Sequence, residues 1–141
     1  MDRRVANDPE QLFELVSDIE RYPDFVPGYR AATVLRREGA RLDVRQTVSV
    51  LGWKCTFDSV ARLDAPRALE IEASPPGFRR LGIRWELEPE EKGGGTRISV
   101  IVRYEAANPV TRAISTHWVR ALADMQIRAF LDRAHSLEPV R

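Results

Sequence analysis

Apolar residues recur along this chain with two different periods, and the changes of period divide it into elements. Asp8-Pro9-Glu10-Gln11 reads as a helix start, with Asp8 as cap, Pro9 at the first helical position and Gln11 where a capping-box partner would sit. Leu12, Phe13, Leu15, Val16 and Ile19 then lie on one helical face. Before this helix, Arg3 to Ala6 reads as the end of a short strand. From Tyr29 the period becomes two. Leu42, Val44, Gln46, Val48 and Val50 alternate with polar residues. Trp53, Cys55, Phe57, Ser59, Ala61 and Leu63 form the next alternation, followed by Leu69, Ile71 and Ala73. Leu81, Ile83, Trp85 and Leu87, then Ile98, Val100, Val102 and Tyr104, complete the series. Short breaks at Leu51-Gly52, Asp64-Ala65-Pro66, Ser74-Pro75-Pro76-Gly77 and Glu90 to Gly95 imply antiparallel hairpins. A last helix is predicted from Pro109 to about Ser136, capped by Asn108, with Ile114, Trp118, Leu122, Met125 and Ala129 on its apolar face.

The order is short helices, five or six antiparallel strands, then one long helix. This predicts an α+β fold: a single domain over residues 1–141 in which a curved sheet turns its apolar face toward the terminal helix. One helix about 10 Å wide cannot fill the concave side of so wide a sheet. A hydrophobic cavity between helix and sheet is therefore expected. The segment Val16 to Tyr29 supports the same picture. Tyr22 and Val26 each precede a proline, which fixes its own φ and disfavours helix before it. The chain must turn sharply twice, carrying Tyr22, Phe25 and Tyr29, and such a turn suits a lid over a cavity.

Composition narrows the function. The chain has 141 residues, 43% apolar and 30% charged, with net charge +1. That balance fits one soluble domain and gives no overall field toward DNA or an anionic membrane. A single cysteine, Cys55, excludes an internal disulfide and fits a reducing cytoplasm. No apolar run approaches the roughly 20 residues of a membrane span, and Met1 to Val5 lack a signal peptide's apolar core. His117 and His135 are the only histidines and no acidic or cysteine cluster joins them, so no metal and no cofactor is expected. Gly93-Gly94-Gly95 lacks the lysine and helix of a phosphate loop and reads as a hairpin turn. No nucleophile elbow is present and Cys55 has no histidine near it in sequence, so no catalytic residue is assigned.

The inward positions resemble a ligand pocket: apolar walls with few polar groups. The candidate lining is Gln46, Val48, Trp53, Phe57, Trp85, Val102, Tyr104, Trp118, Leu122 and Met125, with Tyr22, Phe25 and Val26 as the lid. Gln46, alone on an apolar strand face, needs a hydrogen-bond partner, water or a ligand's polar head.

Three blocks in order carry a family resemblance. Val16 to Pro27, with Asp18, Tyr22-Pro23, Phe25 and Pro27, resembles the signature of the coenzyme Q-binding and ribosome-association-toxin branch of the START-like, polyketide-cyclase-like superfamily. Gly77-Phe78-Arg79-Arg80-Leu81 with Trp85, Leu87 and Pro89 is similar to that branch's second motif, although Pro76-Gly77 stands in reversed order. Ala123-Asp124-Met125, Ala129-Phe130 and Arg133-Ala134 resemble its terminal helix. The resemblance implies a helix-grip fold with a hydrophobic tunnel, and a hydrophobic ligand: a quinone, an isoprenoid or a polyketide.

Three functions follow as alternatives. A non-catalytic carrier of a polyprenyl quinone or related lipid needs only a tunnel and a lid, and implies transient contact with a membrane at its periphery. A polyketide aromatase/cyclase needs positioned proton donors and acceptors, for which Tyr104, Gln46, Ser59, Arg84 and His117 are the available groups. A ribosome-binding modulator needs a basic surface, and Arg36-Arg37 and Arg79-Arg80 are the basic pairs. The carrier is the reading adopted.

Overall fold

The computed structural model describes residues 2–50, 52–90 and 94–135. Strand β1 (Asp2–Val5) leads into helix α1 (Pro9–Ser17), a 3-10 turn (Ile19–Arg21) and the short helix α2 (Tyr22–Phe25). Six strands follow: β2 (Tyr29–Glu38), β3 (Arg41–Val50), β4 (Trp53–Asp64), β5 (Ala68–Ala73), β6 (Phe78–Pro89) and β7 (Thr96–Ala106). Helix α3 (Pro109–His135) closes the chain. The seven strands form one antiparallel sheet in the order β1-β7-β6-β5-β4-β3-β2.

Both helix caps form as the sequence predicts. The Gln11 N–H donates to Asp8 Oδ1 at 2.8 Å, and the Thr111 N–H donates to Asn108 Oδ1 at 2.8 Å. Gln11 Oε1 accepts from the Asn7 amide at 3.0 Å. Asn7 also donates to the Ala134 carbonyl, while the Thr96 hydroxyl donates to the Asn7 carbonyl. One buried asparagine therefore ties β7, the start of α1 and the end of α3 together.

The sheet has one strand more than the alternation predicts. Strand β2 is an edge strand with irregularities at Tyr29/Ala31 and Val34/Arg36, which break the period of two. Its open side is partly occupied, since the Val34 N–H donates to Glu20 Oε2 at 3.1 Å from the 3-10 turn.

Register places the inward residues in rows across the sheet. Leu42, Ala61, Ile71, Ile83 and Val102 are successive partners, and Val44, Ser59, Ala73, Leu81 and Tyr104 form the next row. Burial changes along the strands. Leu69, Trp85, Leu87, Ile98 and Val100 are buried where Leu12, Phe13 and Val16 of α1 join the same core. Val48, Cys55 and Phe57, farther along β3 and β4, are only half-buried, as are Ile83 and Val102 in the row of buried Leu42 and Ala61. The concave face is sealed at the α1 end and only partly covered beyond it.

Helix α3 meets the core by a different stripe from the one predicted. Val119, Gln126, Ile127, Phe130 and Ala134 are buried, whereas Met125 is 46% exposed. The sequence stripe is offset by one residue, about 100° around the helix. The charges of α3 are distributed around it, so apolar spacing alone selected the wrong edge. The expectations for Trp53, Ile114, Trp118 and Leu122 concern side chains outside the described residues.

Phe130 is the center of an aromatic cluster. Its ring centroid lies 4.7 Å from Trp85, 5.1 Å from Tyr22 and 5.1 Å from Phe25, each edge-to-face. Tyr22 adds a 5.4 Å contact to Tyr29. Truncating Phe130 to Ala is expected to destabilise the fold by about 3–5 kcal/mol. Urea denaturation measures it, and a loss below about 1 kcal/mol would show that the cluster is not a principal tie.

Candidate functional site

The Pro-bracketed turn is built by three local devices. Pro23 stands in the first turn of α2, where its missing N–H breaks no bond. The Val26 N–H donates to the Tyr22 carbonyl at 2.8 Å, ending α2. The chain then reverses at Gly28, whose φ of 90° places it in the region open to glycine. This geometry drives Tyr22 inward, and its hydroxyl donates to the Val16 carbonyl. Burial raises the Tyr22 pKa well above its ordinary value.

The three residues expected to form a lid therefore divide. Tyr22 and Val26 are each 3% exposed and belong to the core. Phe25 alone is half-buried and reaches a groove of about 600 Å³. Pro27, Ala121, Met125 and Ala129 supply the groove's other apolar surface. Asp124, Arg128, Asp132 and Arg133 line it as well. The Arg133 guanidinium lies 5.6 Å from the Phe25 ring center, and Arg128 pairs with Asp124 at 3.1 Å. Met125 thus lines a groove beside α3 instead of the helix–sheet contact.

Inside the sheet, Gln46 is 5% exposed and has protein partners. The Ser59 hydroxyl donates to Gln46 Oε1 at 2.7 Å, and the Gln46 side chain hydrogen-bonds the Tyr29 hydroxyl. The buried amide is therefore engaged without a ligand, and Tyr29 is a member of the network that periodicity did not single out. Its signal was local: an aromatic just after a Pro-Gly pair, opposite Val48 on the neighbouring strand. Burial is the main cause that raises the Tyr29 pKa from 10.0 to about 12, with the Gln46 hydrogen bond opposing it.

The other candidates separate by position. Trp85 is buried under Phe130. Val48, Phe57 and Val102 are half-buried on the concave face, beside Cys55 and Ile83. Tyr104 shares that face but is 37% exposed, its ring edge-to-face with Phe78 at 6.1 Å. Burial pushes the Cys55 thiol up, away from the thiolate that a nucleophile needs. Arg84 does not face inward. It bridges Glu70 at 3.0 Å and Glu86 at 2.8 Å on the outer face, so it is unavailable to a pocket. His117 is exposed on α3. The basic pairs are partly neutralised: Arg36 binds Glu38 at 2.9 Å, and Arg79 approaches Glu105 at 3.7 Å.

The model of the polyketide cyclase/dehydrase and lipid transport family matches residues 5–131. The chain belongs to this family. It is 31% identical to the mitochondrial coenzyme Q-binding protein of Schizosaccharomyces pombe over 145 residues, covering 96% of this chain and 87% of that one. It is 24% identical to the ribosome association toxin RatA of Escherichia coli over 137 residues, covering 97% and 86%. Among solved structures, a START superfamily protein from Mycobacterium smegmatis superposes with TM-score 0.86 at 20% identity, covering 98% of this chain and 97% of that one. The Zhui aromatase/cyclase of a Streptomyces species gives 0.82 at 19% identity, covering 96% and 91%. These likenesses establish the START-like helix-grip fold that the sequence motifs imply. Within this family of lipid- and polyketide-binding proteins, no helix among the described residues is long and apolar enough to cross a membrane.

The buried tyrosines make the core sensitive to alkali. Tyr29 holds its proton more tightly folded than unfolded, so its contribution is complete below pH 10 and is lost as pH rises through about 12. Stability is expected to fall across that window, with a smaller fall in Tyr29→Phe. Alkaline denaturation monitored by circular dichroism checks this; an equal slope in the variant would remove Tyr29 as the cause.

Proposed function

We propose that this protein binds and carries a hydrophobic small molecule, a polyprenyl quinone or related lipid, without transforming it. The observation that carries this reading is the set of half-buried apolar residues on the concave face. Val48, Phe57, Ile83 and Val102 keep part of their surface open, whereas Leu69, Trp85 and Val100 are closed toward α1. Covering such surface with an apolar ligand is favourable by roughly 25 cal/mol per Å². The 31% identity to a coenzyme Q-binding protein across nearly the whole chain supports a quinone as the ligand class.

The polar groups support binding over catalysis. Gln46, Ser59 and Tyr29 are tied to one another, and the Tyr22 hydroxyl is tied to the backbone. A proton-transfer role would require breaking these bonds first. Tyr104, at the open end of the wall, is the side chain we assign to the ligand's carbonyl head. Phe25 and Met125 line the separate groove beside α3.

Titration with quinones of increasing isoprenoid length tests the proposal. Each further CH₂ buried adds about 0.8 kcal/mol, so affinity is expected to rise with length until the channel is full. Val102→Arg is expected to abolish binding while leaving the unfolding transition in place, because the half-buried site gives the longer side chain an exit. A response independent of tail length would overturn the carrier reading.

A further inference from the structure

The open end of the concave face is also the end where positive charge collects. Strand directions place four turns there. Pro27-Gly28 lies beside the end of β3, with the Ser49 N–H donating to the Gly28 carbonyl at 2.7 Å. The turn before β6 lies beside the start of α3: the Ala107 N–H donates to the Gly77 carbonyl at 3.0 Å, and a Cβ on Gly77 would stand 3.3 Å from Thr111 Oγ1. Arg30, Lys54, Arg79, Arg80 and Arg112 are all exposed at this end; Glu105 pairs with Arg79, and Asp58 and Glu72 line the same outer groove as Arg79 and Arg80. Arg30, Lys54 and Arg80 have no ion-pair partner among the described residues. Within the basic ring stand two exposed apolar residues, Pro76 and Val110, the latter 73% exposed.

From this placement we infer that the rim formed by Lys54, Pro76, Arg79, Arg80, Val110 and Arg112 is a docking surface for an anionic lipid bilayer. Cations around an apolar tip match a bilayer, whose phosphates lie above hydrocarbon. A nucleic acid would satisfy the cations but leave Val110 and Pro76 against a polar partner. Docking by this rim points the unsealed wall at the membrane; in that respect the inference rests on the carrier reading, although vesicle binding itself needs no quinone.

Flotation with quinone-free vesicles tests the surface apart from the carrier reading. Vesicles of phosphatidylcholine and phosphatidylglycerol in a two-to-one ratio are expected to bind the protein, and phosphatidylcholine alone to bind it far less. Raising salt toward 1 M, where screening acts within about 3 Å, is expected to release it. Neutralising Lys54→Gln and Arg80→Gln together is expected to weaken binding about 25-fold, at roughly fivefold per basic residue. Val110→Asp is expected to weaken it by about tenfold. The control pair Arg3→Gln and Arg67→Gln, exposed on the other end, is expected to leave it unchanged, with all variants keeping the circular dichroism of the parent. Equal binding to neutral and anionic vesicles would overturn the inference. Equal loss in the control pair, or capture of single-stranded RNA at concentrations where vesicles stay free, would do the same.

Discussion

The contact on which the rest of this molecule depends is the packing of Phe130 against Trp85, Tyr22 and Phe25. The partners come from two parts of the chain: Trp85 from the floor of the sheet, and Tyr22 and Phe25 from the Pro-bracketed turn. A long helix laid across a curved sheet has few features that fix its rotation. Edge-to-face rings supply one, because the quadrupoles prefer defined orientations as well as contact. With Phe130 seated, Ile127 and Ala134 are carried into the core and Met125 is carried out of it. Asn7 then fixes the far end of the helix along its axis.

Those two ties leave an asymmetry. Beyond Trp85 the concave face is closed by α1, whose Leu12, Phe13 and Val16 fill the space between sheet and helix. Farther along β3 and β4, Val48, Cys55 and Phe57 remain half-buried. The polar groups do not follow this asymmetry. Gln46, Ser59 and Tyr29 satisfy one another, as buried polar atoms must. Tyr104, in the same row as Ser59 but on β7, is 37% exposed.

The strands were legible in the sequence wherever one face is buried and the other wet, because side chains alternate strictly along a pleated backbone. That is why the rows through Val44 and Leu42 could be read residue by residue. β2 was not legible. At an edge, with two irregularities, neither face imposes a clean alternation. The stripe of α3 was misplaced for a related reason: a helix bordered by a groove on one side and core on the other has two apolar edges, and spacing does not rank them. The proline turn was located correctly, but its aromatics were given one shared role. Rings separated by three residues point in different directions, and only the structure divides Tyr22 from Phe25. Gln46 was singled out correctly as a residue in need of a partner. Its partners came from β2 and β4, and so depended on pairing that a linear pattern does not contain.

The carboxylate of Glu20 has a consequence at the level of many molecules. An edge strand of ten residues presents a row of donors and acceptors that a second chain could extend. Glu20 occupies the Val34 donor, and the two irregularities distort the spacing on either side of it. At the opposite edge, β1 offers only four residues. Sheet-to-sheet stacking of copies, the first step toward fibres, is obstructed at both borders. A protein with half-buried apolar residues on its sheet needs that protection more than one whose interior is fully closed.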